Sequence, residues 1–180
     1  MMTTHVFAAG ILALVLISGA PVLAQNPGVT AAAADIKPGA VTESNEFASK
    51  ARIGNLFEVE TSALAASRTM SPNVAVFAQM MIEDHSTADA QLEAAVKAQG
   101  NVTLPAQVDA DKAAALQQLA AASGAQFDRL YIKVQTDAHV EAVGLFSGYA
   151  QNGQPGALKD FAATTLPTLT IHYAMAKQLR

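Results

Sequence analysis

The chain has 180 residues, of which 51% are hydrophobic and 14% are charged, a composition that excludes a disordered chain and suits one domain with appendages. Its 11 basic and 15 acidic residues give a net charge of −4, so no basic stripe is available to neutralise the phosphates of a nucleic acid. Cysteine is absent, which excludes disulfides, thiol chemistry, zinc–thiolate sites and a lipid-modified cysteine.

Residues 1–24 are predicted to be a signal peptide for export to the periplasm or the outer membrane. Residues 6–19 form an apolar run with the length of a signal-peptide core, and the run is short for a membrane span. Val22 and Ala24 place small residues before a cleavage site at Gln25. No Lys or Arg precedes the run, so an uncleaved short anchor is the alternative. After cleavage we expect no integral membrane span.

Residues 25–43 are predicted to be a flexible linker. The segment is rich in Pro, Gly and Ala, and it lacks the periodicity of a helix or a strand. The folded domain is therefore expected to cover residues 44–180.

Four long helices and one short helix are predicted in this domain. Ser44 and Ser71-Pro72 are typical helix starts, and Gly100-Asn101 and Asn152-Gly153 are typical helix ends. Long helices with short connections predict an all-α four-helix bundle, with the short helix before the third long one. The expected ranges are about 44–68, 72–99, 125–150 and 156–180, and the short helix runs from Asp109 or Asp111 to Ala122.

Each long helix places a carboxylate or an imidazole on or near an apolar stripe. Glu58 lies near the stripe of the first helix, Asp84 and His85 flank that of the second, and His172 lies close to the centre of the last. The third helix is apolar on two faces, one carrying Glu141 and the opposite one Asp128 and His139. Both faces cannot turn towards one ion, and the sequence leaves open which of them points inward.

Several separated motifs resemble a known protein family. From Phe47 onward the chain resembles the domain-of-unknown-function family numbered 4142, a group of exported bacterial proteins often described as outer-membrane proteins. The resemblance implies a ferritin-like bundle in the cell envelope, without an agreed activity. Asp137 is separated from His139 by Ala138, so this chain lacks an acid–histidine dipeptide there. The matching residues are Gly54-Asn55-Leu56-Phe57-Glu58, Ser62, Leu64-Ala65, Ala78-Gln79-Met80-Met81, Asp84-His85, Phe127-Asp128, Tyr131, His139, Leu166-Pro167-Thr168-Leu169 and His172.

A mononuclear metal site is the main functional hypothesis. Ferritin-like di-iron sites use Glu-x-x-His on two helices, and that motif does not occur in this sequence. Imidazole and carboxylate suit Zn, Cu or Fe, and the sequence does not choose among them. Met80 and Met81 could serve Cu(I), although methionines at helical spacing are more often core residues. The candidate ligands are Glu58, His85, His139 and His172, with Asp84, Asp128, Tyr131 and Glu141 as supporting residues.

The alternative is a purely structural or protein-interaction module of the envelope, with no ligand. Its histidines would only tie helices together, and its partner would be an envelope protein or a second copy of the chain. Asp128 and Tyr131, three residues apart on a helix, fit an ordinary structural hydrogen bond. No acid–base–nucleophile set and no phosphate-binding loop is recognisable, so the sequence gives no indication of an enzyme.

Overall fold

The computed structural model describes residues 33–180, which form five helices and no strand. The predicted all-α class and the short helix before the third long one are therefore confirmed within this range. The predicted signal peptide and residues 25–32 of the predicted linker lie outside the described residues. The helices are α1 (Ser44–Arg68), α2 (Pro72–Gln99), α3 (Ala110–Ala121), α4 (Gly124–Asn152) and α5 (Ala157–Ala176).

Three helix ends follow from local capping chemistry. The Ser71 hydroxyl accepts a hydrogen bond from the backbone N–H of Val74 at the start of α2, where Pro72 occupies the first turn. Asp109 caps α3 through the backbone N–H of Lys112, at 2.9 Å. Gly100, with φ of 74°, ends α2 in a conformation that favours glycine.

The first helix begins at Ser44 as predicted, but Ser44 is not its N-cap, and the predicted end of the last helix is wrong. Glu43, without a side-chain cap, holds the N-cap position of α1. The Ser44 hydroxyl is instead 2.9 Å from the Tyr149 hydroxyl, because a tertiary partner on α4 competes with the local cap. The last helix ends at Ala176, before the C-terminus, and turns formed by residues 177 and 178 follow it.

The four long helices surround a common interior. α1 packs against α2 and α4 packs against α5, and each pair joins sequence neighbours. α2 also contacts α5, and α1 also contacts α4, so the contacts close into a ring. α3 packs on the outside against α1 and α4.

The interior contains two hydrophobic clusters with a histidine layer between them. The first cluster is built around Phe47, Phe146 and Phe161, and the second around Phe77 and Phe127. His85 lies between residues of the two clusters along α2, and the same holds for His139 along α4 and His172 along α5. In chain order the flanking core residues are Met81 and Leu92, Tyr131 and Val143, and Leu169 and Ala176.

Residues 33–43, which we call the N-terminal strap, lie against α4. The backbone N–H of Gly39 donates to the carbonyl oxygen of Gly144 at 2.7 Å. Ile36 and Val41 pack against the first hydrophobic cluster. The strap comes close because Gly144 and Gly148, one helical turn apart, present no Cβ to it.

Within residues 33–180, no helix combines the length and the apolar character that crossing a membrane requires.

Candidate metal centre

Three histidines from three helices meet in the layer between the two hydrophobic clusters. His85 is on α2, His139 on α4 and His172 on α5, and their exposed fractions are 3%, 0% and 2%. Their ring centroids are separated by 5.5, 5.5 and 5.4 Å, a nearly equilateral triangle. One ligand atom from each ring lies within 4.8 Å of the other two. The sequence contains four histidines, and the fourth, His5, is outside the described residues.

Each imidazole is held by a hydrogen bond on one of its two nitrogens. Nδ1 of His85 is 3.1 Å from Oδ1 of Asn55, on α1. Nδ1 of His139 is 2.8 Å from the backbone carbonyl oxygen of Gln135, one turn earlier in α4. Nε2 of His172 is 2.8 Å from Oδ2 of Asp84, on α2. All four long helices therefore contribute to the orientation of the three rings.

The hydrogen bonds determine which nitrogen carries the proton. A backbone carbonyl and a carboxylate only accept, so Nδ1–H of His139 and Nε2–H of His172 are the donors. In a neutral imidazole the other nitrogen then has a free lone pair. These other nitrogens, Nε2 of His139 and Nδ1 of His172, are buried without a partner among the described residues, and so is Nε2 of His85.

Burial keeps the three rings neutral. It lowers the pKa of His85 well below the ordinary value of 6.5 and that of His139 to about 3. Burial also lowers the pKa of His172, although its hydrogen bond to Asp84 and the charge of Asp84 act in the opposite direction. At neutral pH the cluster therefore offers three uncharged imidazole lone pairs, the form of histidine that binds metal ions.

Comparison with known proteins places the chain in a family. The family described as Domain of unknown function (DUF4142) matches residues 28–179. The chain belongs to this family. No curated protein and no solved structure matches it.

Glu58 of this DUF4142 domain lies beside the cluster and outside its three-nitrogen core. Its Oε1 is 3.6 Å from Nδ1 of His139, the nitrogen that donates to Gln135. Its exposed fraction is 3%, and burial raises its pKa to about 8. Its Oε2 has no hydrogen-bond partner within the described part of the chain. Glu58 thus approaches His139 from the ring edge that bears the proton.

The remaining predicted residues of the DUF4142 domain differ in their exposure and in their contacts. Asp84 is 43% exposed at its side chain and orients His172. Glu141 is exposed and pairs with Lys112 at 2.6 Å, so the His139 face of α4 points inward. The expected Asp128–Tyr131 hydrogen bond is wrong, because the Tyr131 hydroxyl is 2.8 Å from the Ser62 hydroxyl on α1, and the buried Oδ1 of Asp128 has no partner among residues 33–180. Met80 and Met81 pack with the second hydrophobic cluster.

Two residues that orient the rings, Asn55 and Gln135, were not among the predicted site residues. Asn55 lies in the stretch that carries the family resemblance, and an asparagine inside a helix has a weak intrinsic preference for that position. That conflict was a usable signal of a specific role. Gln135 acts through its backbone carbonyl, for which the residue type gives no signal.

Proposed function

We propose that this protein is an exported, ferritin-like four-helix-bundle protein that binds one divalent transition-metal ion through His85, His139 and His172. The proposal is supported by one observation: three buried imidazoles bring one ligand atom each within 4.8 Å of the other two, and each ring has a buried nitrogen with no partner among residues 33–180. Buried polar atoms normally have hydrogen-bond partners, so three such exceptions in one place call for a ligand. A purely structural histidine cluster would pair these nitrogens with one another or with the backbone.

Charge balance supports a divalent cation. Three neutral imidazoles provide no negative charge, and an ion in a dry interior needs compensation nearby. The Asp84 carboxylate is hydrogen-bonded to His172, the carboxylate–histidine arrangement that orients metal ligands and increases their basicity. Glu58 supplies a second acidic group at 3.6 Å from His139 and becomes the counter-charge when it loses its proton.

The donor set indicates the class of ion. Imidazole nitrogens suit Zn, Cu and Fe in divalent form, and the chain has no thiolate that would favour softer ions. Because the three-nitrogen core contains no bridging carboxylate, we propose a mononuclear centre and not a ferritin-type di-iron centre. Three protein ligands also leave a position for water or another small ligand, as in catalytic zinc sites.

We propose that a cation reaches the centre through a polar groove beside Asp84, the residue that contacts His172. The groove, of about 490 Å³, lies between α2 and α5, and Asp84 lines it. Most of its other lining residues carry hydroxyl or amide groups, among them Thr87, Gln91 and Thr168. Such oxygen atoms suit a hydrated ion that passes to His172.

Protein purified without a metal-affinity tag is expected to contain one metal ion per chain. His85→Ala and His172→Ala should each weaken binding by more than about 100-fold, because each removes one of three ligands. Asp84→Asn should weaken it by about 10- to 100-fold through loss of the charged partner of His172. Elemental analysis gives the stoichiometry, and titration of chelator-treated protein with Co²⁺, followed by visible absorbance, gives the affinity.

Glu60→Gln is the matched control, because Glu60 is exposed and lies two residues after Glu58. It should retain full metal content. A wild-type protein that stays folded and binds no Zn, Cu, Fe or Co ion would contradict the metal proposal and favour the structural or protein-interaction alternative.

Export is a separate proposal, supported by the apolar run of residues 6–19 and the small residues Val22 and Ala24. Mass spectrometry of the mature protein is expected to find Gln25 at the N-terminus, in the periplasmic or outer-membrane fraction. An intact Met1 in the cytoplasmic fraction would contradict it.

A further inference from the structure

A second candidate site adjoins the histidine cluster on the opposite side from the polar groove. A cavity of about 1050 Å³ lies between α1 and α4, with the N-terminal strap and the start of α3 at its rim. His85 and Glu58 lie at its buried end. The walls include apolar and aromatic residues, among them Ile53, Phe57, Leu145 and Phe146. Its volume is of the order of that found for small-molecule sites in proteins.

Gly54 indicates that the cavity is not a packing defect. It lies in the interior of α1, where glycine costs about 1 kcal/mol relative to alanine. Within residues 33–180, a Cβ added there would meet no atom within 4 Å apart from the adjoining turns of its own helix, and the residue lines the cavity. The chain therefore has a residue of low helix propensity at a position where a larger side chain would narrow the cavity.

The polar groups around the cavity define the ligand. Three lysines line it, and two are already paired: Lys50 with Glu46 at 2.7 Å and Lys112 with Glu141 at 2.6 Å. At Lys50 and Lys112 an anionic ligand would therefore have to compete with existing ion pairs. At the buried end, Oε2 of Glu58 lacks a hydrogen-bond partner among the described residues. A hydroxyl group can pair with a carboxyl group in either protonation state, because it both donates and accepts.

We propose that this cavity binds a neutral, largely apolar small molecule with a hydroxyl group, of the phenol or aromatic-alcohol class, whose oxygen pairs with Glu58. The site goes beyond the metal centre, because it uses the cavity walls and Glu58 and requires no bound ion.

The test uses 1-naphthol as the probe and the mature protein. The chain has no tryptophan, so naphthol fluorescence can be excited without interference from indole. Saturable binding is expected, about fivefold tighter than that of 1-methylnaphthalene, which lacks the hydrogen bond. 1-Naphthoate, which carries a charge, should bind more weakly than either.

Two substitutions locate the probe. Gly54→Leu places a branched side chain in the cavity and should weaken naphthol binding at least tenfold, while Gly54→Ala, which adds only a methyl group, should stay within about twofold. Both variants should fold, since both residues have better helix propensity than glycine. Glu58→Met should abolish the preference for naphthol over 1-methylnaphthalene, and Glu58→Gln should keep it.

Three results would overturn the proposal: no saturable naphthol binding to the wild type, unchanged affinity in Gly54→Leu, or a Glu58→Met variant that keeps the preference for the hydroxyl. Metal content measured on the same samples should be unchanged in Gly54→Leu. Failure of the cavity proposal is thereby distinguished from failure of the metal centre.

Discussion

Metal-free protein is expected to be most stable near pH 6.5 and to lose stability on both sides. On the acid side, the unfolded chain protonates its histidines below their ordinary pKa of 6.5, whereas burial keeps His85 and His139 neutral in the fold. On the alkaline side, burial raises the pKa of Glu58 from 4.5 to about 8, so the folded state holds a proton that the unfolded state has lost. Glu58 therefore contributes less stability as the pH rises between these two values.

The slope of the free energy of unfolding against pH is set by the number of protons that the chain takes up or releases on unfolding. Each buried histidine removes about 1.4 kcal/mol per pH unit below pH 6.5, and Glu58 offsets one of them. The free energy of unfolding should fall by at least about 1.4 kcal/mol between pH 6 and pH 5, and by about 1 kcal/mol between pH 7 and pH 8. Urea denaturation of chelator-treated protein at these four pH values measures both changes.

Two variants test which residue causes each of the two pH dependences. Glu58→Gln should make stability independent of pH between 7 and 8, and His139→Gln should make the acid slope shallower. Wild-type stability that stays constant from pH 6 to pH 5, or that rises from pH 7 to pH 8, would contradict this assignment of the protons.

Gly148→Ala is expected to destabilise the domain by about 2–4 kcal/mol, the range for overpacking combined with loss of buried apolar contacts. The new Cβ would lie 2.7 Å from the backbone nitrogen and carbonyl carbon of Gly39 and closer still to its oxygen. No rotamer change relieves a clash with backbone, so the N-terminal strap must move away from α4. Urea denaturation at pH 7 measures the cost, and hydrogen exchange should show lost protection at the Gly39 amide.

Gly54→Ala is the matched control for this effect. It makes the same substitution inside a helix, but within residues 33–180 no atom apart from the adjoining turns of its own helix lies within 4 Å of the new Cβ. It should therefore stabilise the protein by about 0.5–1 kcal/mol through helix propensity. A Gly148→Ala variant with equal stability and a protected Gly39 amide would mean that the strap does not require this close approach.

Helices with one apolar stripe were predictable, because helical periodicity is a local property of the sequence. In α2, helical spacing places Val74, Phe77, Met81, Ala88 and Leu92 on one stripe, and all five are buried. Capping by Asp109 was predictable for the same reason, since a cap and its helix are neighbours in sequence.

The inward face of α4 was not predictable, because other elements cover its opposite face. That face is partly buried by α3, through the Lys112–Glu141 pair, and by the N-terminal strap beside Leu145. Both apolar faces of α4 are therefore covered, one by the interior and the other by α3 and the N-terminal strap. Only tertiary contacts show which face is which. The same applies to the contact between His172 and Asp84, 88 residues apart, which depends on how α2 packs against α5.

The histidine layer also restricts how the two helix pairs can be aligned. An interior of Leu, Ala and Phe alone would tolerate a shift of one helix by a turn, about 5.4 Å, with little loss of burial. Such a shift would push an imidazole into one of the two hydrophobic clusters and would separate His85 from Asn55 or His172 from Asp84, at the cost of unpaired buried polar groups. The polar layer thus gives the chain a single register, as one buried polar residue does in a coiled coil, and it does so before any ion is bound.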